Sequence, residues 1–228
     1  MLAFLSAVMR NAWRRNATRV RRRLLGDRGA PWMRPQEEAI VREVLTKLRP
    51  MRCLEWGAGF STLQFPALLP DGATWLAIEH APEWAEIMRQ RNVRANVTVA
   101  QVAPDVTKWE GDGNAGDFAA YLAYPAKQAP YDFILIDGRA RAAAVAAAAQ
   151  IVAPNGVVIL HDANRTAYAG ALRPFAHQLL LRDAREHARR PAGGIWLGSM
   201  ARPIHTVLDV TLHERLWRFY SGVGRVIA

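Results

Sequence analysis

Residues 53–62 read Cys-Leu-Glu-Trp-Gly-Ala-Gly-Phe-Ser-Thr. An apolar strand runs into an acid, Glu55; Gly57 and Gly59 follow with one residue between them, and Ser61-Thr62 opens a helical pattern. Glycines at these positions let the main chain take left-handed conformations and let a ligand approach the backbone closely. Ser61 or Thr62 is expected to cap the helix, leaving unpaired N–H groups near the bound group. Such a loop after a first parallel strand cradles a nucleotide-like cofactor. A dinucleotide fingerprint needs a third glycine three residues after the second, for close helix–strand packing. Thr62 stands there instead.

The next apolar segment, Thr74–Glu79, again ends in an acid, about 20 residues on, where a ribose-binding carboxylate belongs. A carboxylate there accepts both ribose hydroxyls. An acid before Gly-x-Gly, followed by Ser-Thr, resembles the first motif of class I S-adenosylmethionine-dependent methyltransferases. That resemblance implies that Glu55 faces the methionine end of the cofactor. Gly57, Gly59, Ser61 and Thr62 would form the cradle, and Glu79 would hold the ribose. Asp105, after the third strand, is expected near the adenine.

Outward from this loop the pattern alternates. Glu83–Asn92 reads as helix, 96–102 as a third strand, and 105–130 as a loop with one helical turn. Tyr131–Asp137 is a continuous apolar run, as in a parallel strand covered on both faces. The alanine-rich 140–153 forms a slim helix, and Pro154-Asn155-Gly156 turns into a fifth strand, 156–160, ending at His161-Asp162. A helix over 168–181 and strands near 182–188 and 194–200 complete the pattern. The expected fold is α/β: a doubly wound, mostly parallel, seven-stranded Rossmann-like sheet with helices on both faces. Ligands bind beyond the carboxyl ends of such strands, where Glu55, Glu79, Asp105, Asp137 and Asp162 all fall. The 228 residues fit one domain, 31–228, behind an N-terminal extension, 1–30. Cys53 is alone, reads as a small buried hydrophobe, and builds no disulfide framework.

The net charge of +10 is uneven: residues 1–30 hold eight arginines against Asp27. At helical spacing Leu2, Leu5, Met9, Ala12, Trp13, Val20 and Leu24 share one side. Arg10, Arg14, Arg15, Arg21 and Arg22 share the other, and Arg23 breaks the pattern. This is a basic amphipathic helix. Its apolar stripe has three possible partners: the protein's own body or a second subunit, an anionic membrane surface, and, less favoured, nucleic acid contacted through the arginines. Basic residues after the apolar segment are the reverse of a secretory signal. No run reaches the ~18 apolar residues of a membrane span. The expected location is cytoplasmic, with residues 1–25 as a point of contact at the inner face of the membrane in the second case. A second helix, Gln36–Leu48, starts behind Pro35.

Chemistry concentrates in two segments, Ile-Asp-Gly-Arg-Ala-Arg (136–141) and His-Asp-Ala-Asn-Arg-Thr-Ala-Tyr (161–168). As ends of neighbouring strands they bring Asp137, His161 and Asp162 beside the methyl donor. Asp137 thus counts toward both the cofactor cradle and the chemistry. His161 has the pKa of a base near neutrality, while Asp137 or Asp162 orients it. Arg139 and Arg165 suit an anionic acceptor; Arg141 reads as a solvated helix residue. These segments resemble those of a group of bacterial class I methyltransferases. The His-Asp-x-Asn-Arg portion is also similar to one in plant glucuronoxylan methyltransferases, which implies a small-molecule or saccharide-like hydroxyl as acceptor. More distantly, Asp137 and Asp162 match two metal ligands of catechol-type O-methyltransferases, but Ala163 stands where that family has Asn. A divalent metal is therefore not favoured. Two alternatives use the same residues differently. One is an RNA methyltransferase, against which the absence of an Asn-Pro-Pro-Tyr-like segment counts; the other is a non-catalytic domain tethered by its N-terminal helix.

Overall fold

The computed structural model describes residues 2–25, 31–182, 193–221 and 226–227, with side chains over 2–13, 31–182 and 193–220. Helices α1 (Leu2–Leu25) and α2 (Pro35–Leu48) precede β1 (Arg52–Trp56). Then come α3 (Phe60–Gln64), β2 (Thr74–Glu79), α4 (Pro82–Arg91) and β3 (Val97–Gln101). Next are α5 (Ala119–Ala123), β4 (Tyr131–Ile136), α6 (Arg141–Ile151) and β5 (Val152–His161). The chain closes with α7 (Ala169–Leu172), β6 (His177–Leu181), β7 (Ile195–Ser199), α8 (Val210–Ser221) and the two-residue β8 (Val226–Ile227).

The sheet runs β3-β2-β1-β4-β5-β7-β6-β8. Its first five strands in that order are mutually parallel. β7 lies antiparallel between β5 and β6, and β8 pairs antiparallel with β6, so the doubly wound sheet is mixed at one edge. Alternate side chains feed two cores. Cys53, Trp75, Phe133 and Val157 meet α2, α4 and α8 on one face. Leu54, Leu76, Ile134 and Val158 meet α5, α6 and α7 on the other. The small side chains of α6 let Ala144 and Ala148 sit directly against the strands with no exposed surface.

Three expectations change. The helix over 168–181 stops at Leu172, because Pro174 has no N–H to continue the helical hydrogen bonds. Residues 177–181 become β6 instead, with Leu179 and Leu181 in one core and Leu180 in the other, the period of a strand. The strand expected near 182–188 falls almost wholly outside the described residues, whereas that at 194–200 is β7. Helix α8, which the sequence reading left out, buries His213, Leu216 and Trp217 at helical spacing. Helix α1 packs on α2 and α8, but not through its apolar stripe. The docked face is Phe4, Ala7, Val8 and Asn11: Tyr220 Oη donates to Val8 O at 3.2 Å, and the Phe4 ring lies 4.7 Å from the Arg215 guanidinium. Leu2, Leu5, Met9 and Trp13 face outward, Trp13 at 72% exposure. No described helix is long and apolar enough to cross a membrane.

Trp217→Ala should therefore cost about 3–5 kcal/mol in urea unfolding, as a fully buried aromatic does. Trp13→Ala should stay within about 0.5 kcal/mol. A comparable loss at Trp13 would place the apolar stripe in the core after all.

Candidate active site

The parallel register sets Ile78, Trp56, Ile136 and Leu160 in one row across β2, β1, β4 and β5. The residue after each is Glu79, Gly57, Asp137 or His161, and all four line a single cavity of about 510 Å³. Gly57 takes φ +94°, and a Cβ on it would lie 2.5 Å from Gly138 Cα. The two loops meet backbone to backbone. Gly59 is different: a Cβ there would meet only Ser61 Oγ, at 3.6 Å. Gly59 therefore presents open space to the cavity, and a ligand can fill it.

Glu55 does not face that space. It is wholly buried beneath the loop, where Thr62 Oγ1 (2.6 Å), Trp75 Nε1 (2.9 Å) and Ser61 Oγ donate to its carboxylate. Gly59 rather than Ser61 or Thr62 is the N-cap of α3, and Thr62 Oγ1 reaches back to accept from Gly59 N at 2.9 Å. Ser61 lines the cavity, whereas Thr62 belongs to the support. Burial lifts the Glu55 carboxyl to about 7, although Ser61, Thr62 and Trp75 all donate to it. Glu79 Oε1 accepts from His80 N and Ala81 N at 2.9 Å, while Oε2 accepts nothing among the described residues. Asp105 lies outside the cavity lining and accepts from Ala120 N at the start of α5, so the structure does not bring it to the cofactor side.

On the other side of the cavity His161 is held between two acids. Its Nδ1 lies 2.8 Å from Asp137 Oδ1 and its Nε2 3.3 Å from Glu37 Oε2. Burial disfavours the imidazolium, yet Asp137 and then Glu37 raise the His161 pKa well above its ordinary value. Burial likewise opposes the Glu37 charge, but His161 and Arg34 hold that carboxyl below the usual range. With both nitrogens on carboxylates, His161 has no lone pair to accept a proton. The geometry therefore holds His161 between two carboxylates rather than free to act as the base expected from the sequence. Asp162, at φ +56°, gives Oδ1 to Gly193 N (2.6 Å) and Oδ2 to Arg141 Nη1 (3.2 Å). Burial raises the Asp162 carboxyl, and His161 and Arg141 outweigh it and lower it.

Residues 54–163 match the family model of a methyltransferase domain. That segment is just under half of the chain and spans β1 to the end of β5. The solved structures it resembles include an O-methyltransferase from Bacillus cereus in complex with S-adenosylhomocysteine. That match has 16% identity and TM-score 0.54, covering 86% of this chain and 90% of that one. A putative caffeoyl-CoA O-methyltransferase from Staphylococcus aureus matches at 13% and 0.57, over 86% and 98%. A methyltransferase-like protein from Silicibacter pomeroyi matches at 20% and 0.53, over 82% and 97%. No curated protein matches the chain.

The three arginines singled out in the sequence part company. Arg139 is exposed and lines the cavity. Arg165 stands outside the lining, 3.7 Å from Asp112 and over the Tyr168 ring. Arg141, read from sequence as solvated, is 9% exposed and spends itself on its neighbours. Several residues of the site were not anticipated. Glu37 is the third residue of α2 and accepts from Arg34 N at 2.7 Å, so its only sequence signal is that of a capping acid behind Pro35. Asp112 accepts from Arg141 N and Tyr168 Oη and so ties the 102–118 loop to the start of α6. Trp32 and Trp84, 6.2 Å apart, line the cavity together with His80.

The raised Glu55 carboxyl has a pH signature. Between the ordinary value, 4.5, and about 7, the native chain holds more of this proton than the unfolded chain does. Its contribution is complete at low pH and is lost as pH rises through about 7. Urea midpoints of the wild type should therefore fall relative to Glu55→Gln between about pH 5 and 8. A difference that stays flat across that window would show that Glu55 is not perturbed.

Proposed function

We propose that the protein is an S-adenosylmethionine-dependent O-methyltransferase whose acceptor is a hydroxyl of a small molecule or saccharide. The observation that carries this reading is the row of strand ends: Glu79, Gly57 and Asp137 converge on one cavity with open space over Gly59. The residues fit the cofactor. Glu79 Oε2 is available to the ribose hydroxyls, and Gly59 puts no side chain in the cavity. The Bacillus cereus structure, solved with S-adenosylhomocysteine, supports the same choice. Bound there, S-adenosylmethionine supplies a methyl group on a sulfonium sulfur, which passes to the acceptor oxygen and leaves a thioether.

The chain's own residues then handle the acceptor. Asp137 Oδ1 is taken by His161 and Arg141, so Oδ2 is the oxygen left to accept the hydroxyl proton. His161 and Arg141 fix the direction of the carboxylate; Arg139, exposed at the cavity wall, suits an anionic group on the acceptor. Two variants separate binding from chemistry. Gly59→Leu should stay folded by circular dichroism and lose S-adenosylhomocysteine binding in calorimetry, because its side chain enters the cavity rather than the protein. Asp137→Asn should keep that affinity while turnover drops by the ~100- to 10,000-fold of a lost general base. Unchanged affinity in Gly59→Leu would remove the cofactor from this loop.

We also propose that the outward face of α1 rests on an anionic lipid surface. Leu2, Leu5, Met9 and Trp13 are exposed on a helix whose segment, residues 1–30, carries eight arginines and one acid. An apolar strip flanked by arginines matches acyl chains beneath anionic headgroups. The protein should co-sediment with phosphatidylglycerol vesicles but not with phosphatidylcholine vesicles, and Leu5→Asp with Met9→Asp should release it. A dimer in sedimentation that those same substitutions split would assign the strip to a second copy instead.

A further inference from the structure

Catechol-type O-methyltransferases hold a divalent cation between an Asp after the fourth strand and an Asp-Asn pair after the fifth. Asp137, His161 and Asp162 offer ligand atoms within 4.8 Å of one another, so the site is dense enough to invite a metal. The residues nevertheless do not fit one. Ala163 has no ligand atom, and Asn164 Oδ1 lies where a Cβ on Gly194 would come within 2.4 Å of it, outside the cavity lining. The two carboxylates are already bridged.

That bridge is Arg141. A guanidinium has five N–H donors, and all five are used. Nε donates to Gly138 O (3.0 Å), and Nη1 to His161 O (3.1 Å) and Asp162 Oδ2 (3.2 Å). Nη2 donates to Asp137 O and Asp137 Oδ1, both at 3.1 Å. The side chain is 11% exposed. It thus joins the ends of β4 and β5 through three carbonyls and two carboxylates, and no donor remains for a substrate. Arg34 in turn pairs with Glu37, and Arg141 with both Asp137 and Asp162. A divalent cation would have to strip these oxygens of their donors and bring its charge up against the buried guanidinium.

We propose that Arg141 is the resident cation of this site, a positioning residue that occupies the place of the divalent metal and holds Asp137 for the acceptor. It takes a fixed charge and fixed geometry from the chain itself, where a metal would take both from solution. The consequence for turnover, insensitivity to chelators, rests on the methyl-transfer reading; the occupancy of the site does not.

Mn2+ paramagnetic resonance tests the occupancy without any acceptor or cofactor. Wild-type protein should leave the free Mn2+ signal intact up to about 1 mM, the weak end of protein cation sites. Arg141→Ala uncovers Asp137 and Asp162 and should gain a Mn2+ site at least ~10-fold tighter than any in the wild type, lost again when Asp162→Asn is added. Mn2+ bound by the wild type and released by Asp162→Asn would overturn the proposal, as would a folded Arg141→Ala that binds none. If Arg141→Ala does not fold, the wild-type titration decides alone. Should the Mn2+ results hold while no hydroxyl acceptor is ever methylated, the methyl-transfer reading fails and the assignment of Arg141 stands.

Discussion

The ends of β1 and β4 lie closer together than any side chain between them would permit. Gly57 and Gly138 meet backbone to backbone: a Cβ on Gly57 would lie 2.5 Å from Gly138, and one on Gly138 would lie 2.9 Å from Gly57 N and still nearer to Tyr121 Oη. Everything at the carboxyl edge of the sheet is spaced by that contact. It keeps Asp137 N on Trp56 O and Gly57 N on Ile78 O, extending the strand ladder one residue past the last full pairing. The row Glu79, Gly57, Asp137, His161 stays level as a result. A bulkier residue at Gly57 would strike the 137–138 main chain before it reached a ligand. Gly57 is thus a constraint of assembly, and Gly59 is the glycine that leaves room for binding.

Above that row the site is a closed ionic knot made from distant parts of the chain. Glu37 comes from α2, 124 residues before His161, and Asp112 comes from the loop that precedes α5. Buried ion pairs repay their desolvation only when every partner is present, and removing one strands the others. The knot therefore does more for register than for raw stability: α2, the 102–118 loop and the ends of β4 and β5 can close in only one arrangement. Two strained backbone positions, Ala140 at φ +49° and Asp162 at φ +56°, lie within it. Ala140 N is held by Asp112 O at 2.7 Å and Asp162 by Gly193 and Arg141, so the surrounding bonds sustain conformations that neither residue prefers by itself.

The part of this architecture that was legible in the sequence is the part written locally. Parallel strands covered on both faces read as apolar runs, and their carboxyl ends follow from where the runs stop. Glu79, Asp137 and His161 were read that way, and Gly57 from the Gly-x-Gly spacing behind Glu55. Roles that depend on what arrives from elsewhere were not legible. Glu37 carried only a capping signal, and nothing local tells that α2 will lay it on His161. Arg141 opens an alanine-rich helix whose pattern marks no buried side for a long polar residue. His161 was read at its free pKa because two of its neighbours in space are far off in sequence. Leu179-Leu180-Leu181 suits a helix or a strand equally, and only pairing with β7 decides it. On α1 the periodic stripe was real, but Phe4, Ala7, Val8 and Asn11 fit the groove between α2 and α8, and the larger side chains were left outside.

A histidine ring clamped between two carboxylates also limits where a proton can go. In a relay, a carboxylate that accepts a proton passes it to a neutral histidine behind it. Here both His161 nitrogens are already engaged, one with Asp137 and the other with Glu37, and Arg141 has no basic atom at all. A proton taken by Asp137 Oδ2 thus has no route into the protein. It must leave by the side it entered, through the cavity, whose wall carries the exposed Arg139 and Trp32. Methyl transfer suits such a one-sided site: one proton is released for each acceptor, nothing needs it again within the cycle, and the cavity opens in any case when the product departs. The groups behind Asp137 then need never change state, which is what a buried guanidinium and a clamped histidine ring provide.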